Sequence, residues 1–419
     1  MTHFVSELAG GMSLAQPKSL GQSRTSRQHR GAAAQLRSKR LLRSMLNLLA
    51  IVCAIVLLVP WVLYPAVMRV LGALFHGRAA SQGNRTSPLV SIVIATRELP
   101  EAIAARISNC LASNYPPDRL EVVVVVDPTG PPASLFSALI ADPRVTVIQA
   151  EGTGGKAASL NTGMTVARGE IVVLTDTHQQ FVPDAVRELV SSLEADATFG
   201  AVSGSLEIPA TGRWNSPLGW YWKLERRLRE DEATIHSSVG VSGSVYAIRR
   251  ERWVPLAPGL LLDDLYVPMR VVLAGYRVGF ARHAVAYDLR ETSPQQEYQR
   301  KVRTLTGNLQ LMAWLPEVLL PFRNPIWLQF VCHKILRLLT PYALMGLTLW
   351  ATVRATSVLA PSGKLGLLAG VLALVLWLGL ERGRLAKEVR LVLAWLVLLQ
   401  TAPVTAAVNG LRGRWNVWH

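Results

Sequence analysis

Val122-Val-Val-Val-Val126-Asp127 is an unbroken run of β-branched residues that stops on a carboxylate. A strand with one wet face alternates apolar and polar residues, so a run without alternation belongs to a strand covered on both faces, as in a parallel sheet. Working outward, Val90-Ser-Ile-Val-Ile-Ala95, Leu120 to Val126, Val145 to Ile148 and Ile171 to Leu174 read as buried strands. Between them, Glu101 to Ala112 and Lys156 to Ala167 carry helical spacing. Strand, helix and strand in this order predict right-handed crossovers and an α/β fold with a mainly parallel sheet. Ligand chemistry in such folds sits beyond the carboxyl ends of the strands.

Half of the 419 residues are apolar and only 17% are charged, which excludes a disordered chain and a purely soluble enzyme. The apolar residues gather at the two ends. From Leu46 to Phe75 the single strongly polar residue is Arg69, and the stretch is long enough to cross about 30 Å of hydrocarbon. It reads as a membrane anchor over 45–77, with Pro60 and Pro65 bending or ending the helix; no small-residue cleavage site marks it as a signal peptide. Residues 78–315 have the composition of a folded soluble domain. Beyond Pro316, Trp327, Phe330, Ile335 and Leu338 mingle with His333, Lys334 and Arg337, the pattern of an interfacial helix over 316–339 with its basic groups at the headgroups. Membrane helices are expected over 340–410, near Leu338 to Val353, Leu365 to Leu380 and Leu391 to Val408, the last re-entrant at Pro403. The loop Glu381 to Arg390 is cationic and therefore cytosolic. Residues 411–419 form a basic and aromatic tail. Of the net charge of +16, residues 1–44 supply +7; this arm lacks an apolar period and is expected to be disordered. Charge so placed requires no nucleic-acid module. Three scattered cysteines exclude a disulfide framework and a CxxC metal site.

Five features carry chemistry. Asp127 closes a strand at the ligand edge, where it can accept hydrogen bonds from a nucleobase or ribose, or shape the turn Pro-Thr-Gly. Gly152-Thr-Gly-Gly-Lys156 places a lysine at a helix N-terminus, which suits a diphosphate, although the spacing is not that of a Walker loop. Asp176-Thr-His178 follows another buried strand, two apart on one face, and can share a divalent cation; alternatively the histidine packs. The adjacent acids Asp263-Asp264 repel, which raises one pKa and suits a general base, or they form a plain helix N-terminal pair. Gln299-Arg-Lys-Val-Arg303 is cationic, fit for phosphate or for lipid. The stretch Trp220-Tyr-Trp222-Lys-Leu-Glu225 can stack on a sugar or simply pack.

In this order the features resemble glycosyltransferase family 2, as found in membrane-bound bacterial polysaccharide and glycolipid synthases, over roughly Val90 to Leu339. Leu262-Asp-Asp-Leu-Tyr-Val-Pro-Met-Arg270, Arg300 to Asn308 and Cys332-His-Lys-x-x-Arg337 look like a cellulose-synthase-like subgroup. The resemblance implies a GT-A, Rossmann-like catalytic domain between N-terminal and C-terminal transmembrane and interfacial helices. It implies inverting transfer from a nucleotide-sugar, a UDP-sugar in particular, to a lipid-linked or polysaccharide acceptor in cell-envelope or exopolysaccharide synthesis. The donor would be held by Thr96, Asp127, Lys156, Asn161, Asp176, Arg300 and Arg303. Mg²⁺ or Mn²⁺ would sit at Asp176 and His178, Asp264 would be the base with Asp263 supporting it, and Trp220, Trp222 and Glu225 would face the acceptor. Two departures stand out: the second acid of the DxD motif is His178, and the Gln-x-x-Arg-Trp of processive enzymes reads Arg300-Lys-Val-Arg303-Thr304. Without that tryptophan, single-sugar transfer is expected. The competing reading is a catalytically silent nucleotide-sugar-binding scaffold of a membrane polysaccharide-synthesis complex, against which the Asp263-Asp264 pair counts. The implied location is the bacterial cell membrane, in contact with its lipids, with the catalytic domain cytosolic. The positive-inside rule would put the basic arm in the cytosol and a domain behind one crossing outside. A hairpin at Pro60 and Pro65, or a native start at Met45, resolves this, and the latter is favoured.

Overall fold

The computed structural model describes residues 20–75, 87–137, 142–152, 154–207, 217–290, 294–359, 361–380 and 383–415. Helix α1 (Leu20–Leu58) runs into a π-helical turn (Val59–Leu63) and on into α2 (Tyr64–Phe75) without a break. Two expectations change here. Pro60 and Pro65 neither end the helix nor turn it into the hairpin that was the less favoured topology, because the wider π-turn absorbs the missing N–H groups and the clash of the proline rings with the preceding turn. The basic arm is helical from Leu20, since its Ala, Leu, Arg and Gln residues are strong helix formers and need no apolar stripe; residues 1–19 lie outside the described residues.

The central domain follows as β1 (Val90–Thr96), α3 (Pro100–Leu111), β2 (Leu120–Val126), α4 (Ser134–Ser137), β3 (Val145–Gln149), α5 (Lys156–Val166), β4 (Ile171–Thr175), β5 (Gln179–Phe181), α6 (Ala185–Glu194), β6 (Phe199–Glu207), α7 (Pro217–Ile235), β7 (Tyr246–Arg249), α8 (Asp263–Leu273) and β8 (Arg277–Asp288). They form one eight-stranded sheet ordered β3-β2-β1-β4-β7-β6-β8-β5. The first four strands are parallel, with Val90 opposite both Leu120 and Ile171. β7 enters antiparallel to β4 and β6, β6 and β8 run parallel, and β5 lies antiparallel on the edge beside β8, so the sheet is mainly parallel, as expected, with antiparallel pairings around β7 and β5. The run of valines divides between two cores: Val123 and Val125 face α5 and α8 with Val93, Leu174 and Tyr246, while Val122, Val124 and Val126 face α3 and α6 with Ile92, Ile94 and Val173. Burying each valine contributes about 1.5–3 kcal/mol, which explains why alternation is absent.

After the sheet come α9 (Pro294–Trp314), α10 (Trp327–Phe330), α11 (Leu336–Val358), α12 (Pro361–Leu380) and α13 (Arg384–Leu411). Among the described residues two stretches, Arg37–Phe75 and Trp327–Val358, are long and apolar enough to cross a membrane. They pack together, with the Trp350 indole donating to Asn47 at 3.0 Å and the Trp61 indole to Thr340 at 3.1 Å. The helix expected to end near residue 339 therefore continues through a second π-turn (Val331–Ile335) into α11. His333, Lys334 and Arg337 turn inward and not toward headgroups, with side chains 0%, 15% and 10% exposed, because a buried glutamate on α7 waits for them. α13 runs through Pro403 unbroken. The three cysteines are free and buried.

Candidate active site

Strands β1, β2 and β4 end side by side, and each hands a polar residue to the same edge. Asp127, just past β2, is nearly fully buried and its carboxylate accepts from the Thr129 backbone N–H at 2.9 Å, the Thr129 hydroxyl at 2.6 Å and the Gly155 N–H at 2.6 Å. Arg97 approaches the carboxylate at 3.3 Å. Burial alone would raise this carboxyl, but the hydrogen bonds from Thr129, Gly155 and Arg97 hold it at about 2. Asp127 thus shapes its own turn and also anchors the glycine-rich turn ahead of α5. Gly154 has φ +81°, and a Cβ there would lie 2.8 Å from the Asp127 Oδ1, so only glycine brings the backbone this close. Thr96, at the end of β1, accepts from the Glu98 N–H and the Thr177 hydroxyl, both at 3.0 Å.

Lys156 opens α5 and reaches across to two acids, Asp176 at 3.0 Å and Asp263 at 3.4 Å. Burial opposes its charge, yet Asp176, Asp263 and Asp264 together raise its pKa above the ordinary lysine value. Asp176 is a third exposed, and its other oxygen accepts from the Ser244 hydroxyl at 2.9 Å. Burial would raise Asp176, but Lys156 and Ser244 keep it below the usual carboxylate range. Asp263, at the first turn of α8, is buried, its Oδ2 has no hydrogen-bond partner among the described residues, and burial with Asp264 and Asp176 nearby pushes its pKa up against the pull of Lys156. Asp264 is more open and lies against the backbone at Gly243, where a Cβ would come within 3.1 Å of its own Cβ. Close to them Tyr246, which opens β7, carries a fully buried hydroxyl without a hydrogen-bond partner among the described residues. Lys156 gives this acidic cluster a cation that can meet a diphosphate, and the partly exposed Asp264 can accept a proton.

The remaining expected site residues scatter. His178 pairs with Glu98 at 2.9 Å, and among the described residues no trio of His, Cys, Asp or Glu side chains is arranged to hold a metal. A divalent ion that takes most of its ligands from a diphosphate and water needs only one or two carboxylates, and the exposed Asp176 fits that requirement. Asn161 spends both ends of its amide on the backbone of Leu256, donating to its carbonyl at 2.8 Å and accepting from its N–H at 2.9 Å, so it fixes the loop before α8. Arg300 sits 5.1 Å from the Trp222 ring and 3.9 Å from Glu297, on the same helix, α9, as the partly buried Arg303. Glu225 is far from acceptor-facing: it is buried, bonded to His333 at 2.8 Å and Arg337 at 2.6 Å. The side chain of Trp220 lies outside the described residues.

Sequence reasoning missed Ser244, Tyr246, Glu98, Arg97 and Arg290. Arg290 is paired with Asp288 at 2.9 Å, and its charge reaches both Asp176 and Glu98. The signal for Ser244 was the small-residue run Gly240-Val-Ser-Gly-Ser244, whose lack of bulk lets the loop lie against α8.

Residues 91–253 match the family model described as Glycosyl transferase family 2, so the chain carries a glycosyltransferase family 2 domain. Among curated proteins it is 25% identical over 246 residues to the probable glycosyltransferase YdaM of Bacillus subtilis (strain 168), covering 53% of this chain and 55% of that protein. It is 29% identical over 126 residues to the succinoglycan biosynthesis protein ExoO of Rhizobium meliloti (strain 1021), covering 30% and 36%. It is 26% identical over 202 residues to the beta-monoglucosyldiacylglycerol synthase of Synechocystis sp. (strain ATCC 27184 / PCC 6803 / Kazusa), covering 46% and 42%. These matches span about half the length of the curated relatives, or less. A solved mannosyltransferase, PcManGT from Pyrobaculum calidifontis in complex with GDP-Man and Mn²⁺, superposes with a TM-score of 0.64 at 21% identity, covering 87% of this chain and 99% of that one. That likeness shows the GT-A-like fold.

Proposed function

We propose that the chain is a membrane-bound inverting glycosyltransferase that moves one sugar at a time from a nucleotide-sugar to a lipid-linked or glycan acceptor. The observation that carries this reading is the meeting of Lys156, Asp176 and Asp263 at the carboxyl ends of the strands, with Asp264 open beside them. Asp127 and Thr96 frame the nucleoside end of the donor, and Lys156, Arg300 and Arg303 supply positive charge toward the diphosphate. Mg²⁺ or Mn²⁺, held through Asp176 with His178 beside it, would stabilise negative charge on the departing diphosphate. Asp264, the more open of the pair, takes the proton of the acceptor hydroxyl, while the buried Asp263 supports it beside Lys156. Thr304, where processive enzymes carry tryptophan, leaves no aromatic platform for a growing polymer at that position. The two apolar stretches support a place in a membrane, and in this reading the domain lies on the cytosolic side, where nucleotide-sugars are made.

The test is a panel of UDP- and GDP-sugars offered with Mg²⁺ or Mn²⁺ to the purified full-length protein in lipid. Metal-dependent release of nucleoside diphosphate from one donor, with a product extended by a single sugar, is expected. Donor binding without turnover would point to the silent scaffold, and long polymer would refute single transfer.

A further inference from the structure

Where the two apolar helices meet the catalytic domain, cations and aromatic rings interleave. The Trp61 ring, in the π-turn between α1 and α2, lies 6.2 Å from the Tyr221 ring of α7, and Tyr221 lies 5.9 Å from Trp222 in an edge-on arrangement. Lys301 of α9 sits 4.3 Å from the Tyr221 ring centroid and 5.7 Å from that of Trp222, Arg300 sits over Trp222, and Arg337 of α11 sits 4.7 Å from Trp61. Arg337 is committed to Glu225, but Lys301 has no carboxylate within 4.0 Å among the described residues, and Arg300 has only Glu297, at the edge of pairing distance. An ammonium held by ring faces keeps its N–H donors directed at other partners, and Lys301 is partly exposed.

We propose that this junction binds the negatively charged headgroup of a membrane phospholipid, whose phosphate takes the free donors of Lys301 between the rings of Tyr221 and Trp222. The occupant is an amphiphile because the cluster is flanked by apolar side chains facing outward, Leu58, Val62 and Leu63 on one helix and Leu339 on the other. A free anion would use the cations alone, whereas a lipid uses both, and basic residues at the membrane boundary attract anionic lipids in particular. Tyr221 and Trp222 have the mixed apolar and polar character that suits them to headgroup depth.

The inference rests on the reading that Arg37–Phe75 and Trp327–Val358 lie in a bilayer, so membrane extraction is measured first: a chain released by alkaline carbonate would sink both. The full-length protein is then equilibrated in mixed micelles of phosphatidylglycerol and phosphatidylcholine, and retained lipid is counted by native mass spectrometry. Preferential retention of phosphatidylglycerol is expected, reduced at least fivefold by Lys301→Gln and by Tyr221→Leu and preserved by Lys301→Arg, with melting temperature as the folding control. Equal retention of the two lipids, or unchanged retention in Lys301→Gln, would overturn the proposal while leaving the membrane reading intact. Displacement of the lipid by millimolar inorganic phosphate or by UDP would assign the cations to a soluble anion and overturn it as well.

Discussion

At the scale of single residues, the pivotal relation is that of Lys156 to the acids it bridges. A cation already between Asp176 and Asp263 stands where a metal-bound diphosphate would bring positive charge, so in the proposed reading Lys156 and a metal would compete until a donor drew the lysine away. Lys156→Met is therefore expected to tighten nucleotide-free Mn²⁺ binding, on the order of tenfold, while weakening donor binding; electron paramagnetic resonance titration reads the first, and an unchanged titration would detach Lys156 from the metal site. Asp264→Asn keeps shape and removes the proton acceptor, so turnover should fall by at least about 100-fold with donor affinity within about twofold. Activity within a few-fold of the parent would dismiss Asp264 as the base. Asp127 gives a pH dependence: its folded pKa is depressed to about 2, so its contribution is fully present above the unfolded value and is lost as pH falls from about 4 toward 2. Asp127→Asn should flatten that acid limb of the melting temperature and remove about 2 kcal/mol at neutral pH. Asp263 has the opposite sign, since a raised folded pKa makes protonation on acidification favourable to the fold. The acids were legible in the sequence because they close or open apolar runs. Their partners were not, since nothing in Ser244 or Glu98 announces which distant side chain it will meet.

Elements were legible in proportion to their regularity. β1 to β4 declared themselves through apolar, largely β-branched runs, and α3 and α5 through helical spacing near the expected boundaries. β5 has three residues and β7 four, too short for any period to register, and β6 holds two glycines with a register shift at Gly204/Ser205. What makes the sheet mixed is therefore what the sequence conceals. A motif can also be legible while its purpose is not. Asn161 stands where the family motif would put a donor contact, yet it clamps the Leu256 loop from both sides. Asn161→Ala should destabilise the protein by about 1–3 kcal/mol through two buried groups left unpaired, with the donor dissociation constant within about twofold. A tenfold weaker donor complex at unchanged melting temperature would return Asn161 to the donor site.

For the whole molecule, Arg69 explains how membrane and domain meet. The one charged residue of the first apolar stretch is bonded to Asp231 on α7 at 3.0 Å, and Tyr64, Met68 and Gly72 are buried on the same side of α2. With the first apolar stretch in a bilayer, as proposed, hydrocarbon would end before α2, which packs on the catalytic domain. In sealed inverted vesicles protease should degrade the domain while a tag at the N-terminus stays protected; a protected domain would reject the cytosolic orientation and the enzyme reading built on it. The link reaches deeper still: Tyr64 donates to Glu232 at 2.6 Å, and His333 lies between Glu232 and Glu225 at 2.8 Å from each. Burial would raise both carboxyls, but His333, with Arg337 beside Glu225, holds Glu225 well below and Glu232 below the usual value. Glu232 and His333 are 101 residues apart in the chain. At about 5–20 residues per second, synthesis leaves both glutamates without those partners for roughly 5–20 s after they emerge. A newborn domain thus keeps one seam open until the second apolar helix arrives, so the order of translation, and not the sheet alone, decides when this protein is finished.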